Sequence, residues 1–247
     1  MKKGKKKWSA LVEAKVGNAL IQQDQIERYL KLAKNHSIDA VISISNKFAA
    51  HPTHHPFSVQ KTLTRKTDWF HVSWTSILTN AILLHENAEL DDPEQAFLIR
   101  EFVRFFSHDS AGVEGFVQMP SPWKDAVVTF QSGGNLKKSS DGVEAIVSGW
   151  HQKTRELSLQ LTQCLSRTVE LKISKKYLAD PKARIDEDAS SLCVEGVLSA
   201  YLDIPDAASD MNVVADLKAR AIRISMTLAA PQDRKTTRAR INWILRQ

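Results

Sequence analysis

Trp8-Ser9-Ala10-Leu11-Val12-Glu13-Ala14-Lys15-Val16 predicts a β-strand: Ser9, Leu11, Glu13 and Lys15 share one face, and Ala10, Val12, Ala14 and Val16 share the other. Gly17-Asn18 ends it. Between Ala19 and Asn35, Ile26, Tyr29, Leu30 and Ala33 recur at i, i+3, i+4 and i+7, the spacing of an amphipathic helix, and His36-Ser37 closes it. Ile38-Asp39-Ala40-Val41-Ile42-Ser43-Ile44-Ser45 is then a strand of buried character. Strand, helix and strand in this order make a βαβ unit, so the two strands are expected to run parallel with a right-handed crossover.

Downstream, Asn46–Thr67 is expected to be an exposed loop carrying His51-Pro52-Thr53-His54-His55-Pro56. Trp69–Trp74 follows as a third strand, Thr75–His85 as an apolar helix, and Asp91-Asp92-Pro93-Glu94 opens a helix that runs to Phe106. Residues 107–142 are turn-rich and read as a connection between an α/β domain, 1–106, and an α+β domain, 143–247. In the second domain Val147, Trp150, Thr154, Leu157, Leu161 and Cys164 recur at alternating threes and fours. That spacing gives a long helix with a narrow apolar seam, which lies on its own sheet or, on the weaker reading, pairs with a second copy in a homo-oligomer. Strands are expected at Thr168–Ser174, Leu192–Leu202 and Val213–Leu228, and a last helix after Pro231-Gln232-Asp233. In the third of these strands Ile222, Ile224, Met226 and Leu228 alternate with Arg223, Ser225 and Thr227, as in an antiparallel sheet with one buried and one wet face.

The 247 residues are 43% hydrophobic and 25% charged, which excludes disorder and low complexity. Two cysteines, Cys164 and Cys193, cannot build a disulfide framework or a four-cysteine zinc site, and they point to a reducing cytoplasm. The lysine-rich start is followed by an apolar stretch that Glu13 and Lys15 interrupt, so neither a signal peptide nor a membrane-spanning helix is expected. The formal net charge of +6 is concentrated at the ends: residues 2–7 hold five lysines, and residues 216–247 hold eight Lys/Arg against Asp216 and Asp233. Basic ends steer phosphate or serve as solubility tails.

Glu13 and Lys15, two apart on a strand, set a carboxylate beside an ammonium. Phosphodiester hydrolysis uses that pairing: the carboxylate holds Mg²⁺, the metal activates a water, and the lysine positions it or neutralises phosphate. An acid two before a lysine also occurs at Glu170, Asp180, Asp216 and Asp233, so the tripeptide alone carries nothing. What distinguishes Glu13 is the helix that follows, where Gln25 and Tyr29 are i, i+4 neighbours forming one polar ridge. Two further features carry less. His51, His54 and His55 lie close enough in sequence to suggest zinc, but adjacent histidines do not readily share a tetrahedral site and the prolines suggest a plain loop. In the last helix Arg234, Arg238 and Arg246, with Lys235 beside them, offer a basic flank for nucleic acid opposite Ile241, Ile244 and Leu245.

At these residues the sequence resembles the PD-(D/E)XK nuclease superfamily, the restriction-endonuclease-like fold. Glu13-Ala14-Lys15 stands as its E-x-K element, and Gln25-Ile26-Glu27-Arg28-Tyr29 as the Q-x-x-x-Y element of its RecB-like members. Trp8 to Gly17, Ile44-Ser45-Asn46, His54-His55-Pro56 and His71-Val72-Ser73-Trp74 also look like a group of bacterial proteins labelled stress-response or nuclease-related. The resemblance implies an α/β core with a mixed or parallel sheet and flanking helices. It also implies Glu13 as metal ligand, Lys15 as the catalytic cation, Gln25 and Tyr29 in support, Mg²⁺ as cofactor and DNA as partner. Superfamily members place a metal-binding Pro-Asp strand before E-x-K, whereas twelve residues precede Glu13 and none is acidic. The lysine-rich opening looks instead like the hairpin between two such strands, so the restriction-endonuclease-like core is expected to be incomplete, with little or no cleavage. Asp39 is the substitute carboxylate within reach in sequence. The alternative is a non-catalytic nucleic-acid-binding or regulatory protein on the same scaffold.

Overall fold

The computed structural model describes residues 2–3, 6–87, 90–140, 142–229, 233 and 236–245. Lys2–Lys3 (β1) and Lys6–Lys7 (β2) form a short antiparallel ladder, Lys2 opposite Lys7 and Lys3 opposite Lys6. The chain then enters β3 (Ala10–Ala14), α1 (Gln23–Asn35), β4 (Ala40–Ser45) and β5 (Asp68–Ser73). These strands form a parallel three-stranded sheet in the order β3-β4-β5. The first helix starts at Gln23 rather than Ala19, because Ala19 N–H is taken by the Val16 carbonyl in a turn.

One face of that sheet is packed. Ile26, Leu30 and Ala33 of α1 are fully buried against Val41 and Trp69. The stretch 46–67, expected as an exposed loop, folds back onto the same face: Phe48 and Leu63 are buried, and Phe57 and Val59 pack against the cluster. A loop of this composition gains by covering the apolar ring of Trp69 instead of hanging in water. The opposite face of β3 is open, with Val12 59% and Val16 46% exposed.

From Ser73 the chain turns into α2 (Trp74–Glu86), capped by the Ser73 hydroxyl on Ser76 N–H, and then α3 (Pro93–Phe106), capped by Asp92. A short 3₁₀ turn at Asp109–Ala111 leads to α4 (Pro122–Gln131), a helix the turn-rich sequence concealed. It gives Ala126 and Phe130 to the second core. The seam helix is α5 (Val143–Leu165), and it lies on the chain's own sheet. Val147, Trp150 and Thr154 are buried there, Leu157 and Leu161 are partly buried against the same core, and Cys164 at the end of the seam is exposed.

The second sheet has the order β6-β7-β8-β9, antiparallel throughout: Glu170–Leu171, Val197–Asp203, Met211–Asp216 and Ala221–Ser225. Two helices, α6 (Lys175–Ala179) and α7 (Pro181–Glu195), separate β6 from β7. Leu192 therefore ends a helix and does not begin a strand. Asp180 caps α7 through Ala183 N–H, Pro181 sits in its first turn, and Gly196, at φ +76°, stops it. The expected strand 213–228 is two strands joined at Leu217–Arg220. Its last part, β9, lies at the sheet edge with Ile222 59% and Ile224 63% exposed, so the alternation there marks no buried face. Of the expected docking flank of the final helix α8 (Thr237–Ile244), Ile241 and Leu245 are exposed. Among the described residues no helix is long and apolar enough to cross a membrane.

The asymmetry of the first sheet is measurable. Ile26→Ala, which empties a fully buried site, should cost about 2–5 kcal/mol in urea unfolding. Val12→Ala, on the open face, should change stability by less than about 0.5 kcal/mol. Similar costs for the two would mean that the faces are assigned the wrong way round.

Candidate functional site

Alternation along β3 turns Leu11, Glu13 and Lys15 toward α1. On that helix Gln25 and Tyr29, one turn apart, face the strand. The four side chains meet. Glu13 Oε1 accepts from Lys15 Nζ at 2.6 Å and from Gln25 Nε2 at 2.8 Å, and Glu13 Oε2 accepts from Tyr29 Oη–H at 3.0 Å. Gln25 Nε2 also lies 3.3 Å from Tyr29 Oη, which ties the ridge together. The Glu13 side chain is 14% exposed and that of Lys15 29%, so the ammonium remains within reach of solvent. Lys15 first, then the Tyr29 and Gln25 donors, hold the Glu13 carboxyl below its usual range against the opposing effect of burial.

The backbone beyond Lys15 is fixed from three sides. Trp74 Nε1–H donates to Lys15 O at 2.7 Å, Asn46 Nδ2 donates to Gly17 O at 3.1 Å and to Gly112 O at 2.8 Å, and Gly17 N–H donates to Gly112 O at 2.8 Å. Gly112 has φ +68°, and a Cβ there would sit 3.0 Å from Gly17 N, so a side chain would push these segments apart. A small cavity of ≈ 190 Å³ opens at these carboxyl ends of the parallel strands, lined in part by Gly17, Ser45, Asn46, Lys47 and Glu114. Ligands of open parallel sheets bind in this position.

Strand register adds Ser43, which the sequence did not single out, and joins it to His71 of the expected third strand. Glu13 lies beside Ser43, and Ser43 beside His71, all on the α1 face. Ser43 Oγ accepts from Trp69 Nε1–H at 3.0 Å and lies 2.9 Å from His71 Nδ1, while His71 Nε2 lies 3.1 Å from Lys47 O. A carbonyl only accepts, so Nε2 carries the proton and Ser43 donates to Nδ1. Ser43 is 0% exposed, which puts its hydroxyl out of a substrate's reach and makes this network a brace for the middle strand. The signal was available in β4 and β5: Val41, Ser43, Ser45 and Trp69, His71, Ser73 place polar groups at every second position of otherwise apolar strands.

The rings of His51 and His54 lie 5.8 Å apart, centroid to centroid, but the three loop histidines take separate hydrogen-bond partners. His51 Nδ1 pairs with Thr53 Oγ1 at 2.7 Å, His54 Nε2 with Leu178 O at 3.1 Å, and His55 Nε2 with Trp69 O at 2.7 Å while its ring stacks on Trp69. They fasten the loop 46–67. The competing acid-x-Lys matches are also engaged elsewhere: Lys172 reaches Asp210, Asp180 caps α7, and Asp216 pairs with Arg223. Of the basic flank, Arg238 is exposed on α8, and Arg234, Lys235 and Arg246 lie outside the described residues.

The donor set can be tested against Mg²⁺. Both Glu13 oxygens are engaged, one by a cation, and among the described residues no group of three His, Cys, Asp or Glu could hold a metal. Asp39 is not the substitute. Its carboxylate accepts from Ser9 N–H at 2.8 Å and from Ser9 Oγ at 3.2 Å, and its strand neighbour Ala40 pairs with Ala10 while Glu13 pairs with Ser43. Asp39 is four residues before Ser43, the neighbour of Glu13, which sets Asp39 and Glu13 about 13 Å apart along the sheet. These side chains fit a closed ion pair and do not fit a Mg²⁺ site.

Two titrations follow. Lys15→Met should raise the Glu13 carboxyl pKa, read by carbon NMR, and an unchanged value would remove Lys15 as the main cause. Burial holds His71 down at about 4, so the unfolded chain takes its proton first. The stability this group contributes is therefore full above its ordinary value of about 6.5 and is lost as pH falls toward about 4. From His71 alone, unfolding free energy should drop by about 2 kcal/mol between pH 7 and pH 5. Burial lowers His54, His55 and His151 too, which acts in the same direction. A His71 ring that titrates near its ordinary value in NMR would contradict this.

No family model, no curated protein and no solved structure matches the chain.

Proposed function

We propose that this chain is nuclease-related and binds nucleic acid, with its E-x-K half-site derived from metal-dependent phosphodiester hydrolysis of DNA and cleavage by this chain weak or absent. The observation that carries the reading is the quartet of Glu13, Lys15, Gln25 and Tyr29 at the carboxyl end of a parallel strand. An exposed surface ion pair needs no such support, since it contributes little to stability. Here two uncharged donors from a separate helix fix the carboxylate, and the carboxylate in turn fixes the lysine. Glu13 occupies part of the ammonium's hydrogen-bonding capacity and leaves donors for a phosphate oxygen.

Lys47, exposed two residues beyond β4 and lining the cavity at the strand ends, supplies a second cation on the same rim. Contacts of this kind go to the backbone of a nucleic acid and carry no sequence preference. The engagement of both Glu13 oxygens favours the non-catalytic form of the reading, because a metal would compete with Lys15 and Gln25 on Oε1 or with Tyr29 on Oε2 and would lack further acidic ligands among the described residues.

Fluorescence anisotropy with a labelled DNA duplex and a single-stranded RNA should show binding at about 50 mM salt that falls steeply by about 200 mM. Lys15→Ala combined with Lys47→Ala should weaken it and flatten the salt dependence. With Mg²⁺ or Mn²⁺, any cleavage should be weak and should vanish in Glu13→Ala and in Lys15→Ala. Cleavage that survives both substitutions, or no binding to either nucleic acid at the lower salt, would overturn the reading.

A further inference from the structure

A second, roomier cleft lies elsewhere. It has a volume of ≈ 670 Å³ and is bounded by α2, by α5, by the stretch around β6 and by Ala50–Pro52. That size accommodates a small organic molecule. Its walls are apolar over Leu83, Leu159, Leu171 and Leu178, and Arg155 of α5 lines it as well.

Arg155 is placed at a cost that the protein itself does not offset. Its Nε is buried and has no hydrogen-bond partner among the described residues, and Nη1 reaches only Ser158 Oγ at 3.3 Å. Burial works against the guanidinium's charge, and Glu170 is the one group recorded as favouring it. The lysine of the cleft is differently placed: Lys172 is paired with Asp210 at 2.7 Å and lies 3.9 Å from Asp203. A buried guanidinium without a carboxylate partner is unfavourable, and it is also the donor fork that a planar oxyanion matches with two parallel hydrogen bonds.

Charge then limits the ligand. Glu170 and Asp203 also line the cleft and repel a dianion or a polyanion, whereas one negative charge matches the one cation there that forms no ion pair among the described residues. We infer that this cleft binds a small organic monocarboxylate, its oxygens on the Arg155 guanidinium and its apolar body against Leu83, Leu159, Leu171 and Leu178. This site is separate from the Glu13 quartet and independent of nucleic-acid binding.

Octanoate is the probe, with 1-octanol and octyl phosphate as its neutral and dianionic counterparts, each titrated calorimetrically into the full chain. Octanoate should bind one to one and raise the melting temperature, and 1-octanol should bind about tenfold more weakly or worse, as loss of a charge-assisted pair requires. Octyl phosphate should also bind more weakly than octanoate. Arg155→Met keeps the apolar stem and removes the charge, so its octanoate affinity should fall to that of 1-octanol. The melting temperature of the unliganded variant should be unchanged or higher. No octanoate binding at millimolar concentration, equal affinity for octanoate and 1-octanol, tighter octyl phosphate binding, or an Arg155→Met variant that keeps octanoate would each overturn the inference. A marked fall in the unliganded variant's melting temperature would do so too, by assigning the arginine to the fold.

Discussion

The in-register parallel pairing of β3 with β4, which sets Glu13 beside Ser43, is the constraint on which the candidate site depends. In a strand a slip of one residue sends every side chain to the other face. Here it would turn Leu11, Glu13 and Lys15 together away from α1 and bring Val12 and Ala14 in their place. On β3 that register is held by Leu11, which packs against the Ile26, Leu30, Ala33 and Val41 cluster, and by Ser9 N–H on the Asp39 carboxylate, while the Ser43, Trp69 and His71 network locks β4 to β5. The apolar half of the sheet thus supplies the stability, and the polar half, toward the carboxyl ends, carries the chemistry.

That polar half is assembled so that each charge has an answer. Glu13 is the only carboxylate in the quartet, and its two oxygens receive one ammonium, one amide and one phenol. The arrangement keeps the carboxylate ionised in a half-buried position, where desolvation alone would favour its neutral form. It also holds Lys15 at the rim of the sheet in one geometry. A site of this kind presents a cation on a rigid strand end and withholds the acid, which suits contact with phosphate better than activation of water. Arg155 shows the contrary design, a cation whose buried Nε has no hydrogen-bond partner and which forms no ion pair among the described residues.

The sequence disclosed those parts that depend on short, local periods. Two-residue spacing put Glu13 and Lys15 on one face, four-residue spacing put Gln25 and Tyr29 on one ridge, and the βαβ order implied the parallel pairing that brings strand and helix together. It could not disclose which residue of β4 stands beside Glu13, because register is set by long-range packing; Ser43 went unread for that reason, and His71 was legible only as a histidine of the third strand. Short apolar runs misled in the second half. Leu192-Cys193-Val194 is the end of a capped helix and not a strand start, a distinction that periodicity over so few residues does not make. The alternation at Ile222 and Ile224 is a true strand signal, yet its apolar side is uncovered because β9 lies at the edge of its sheet.

The central claim is that Glu13 and Lys15 form a closed pair braced by Gln25 and Tyr29. It is tested most directly by crystals soaked in Mn²⁺ and measured for anomalous scattering. The account predicts no manganese peak at Glu13, with the lysine ammonium still on the carboxylate. A peak bound to Glu13 with Lys15 displaced would contradict it.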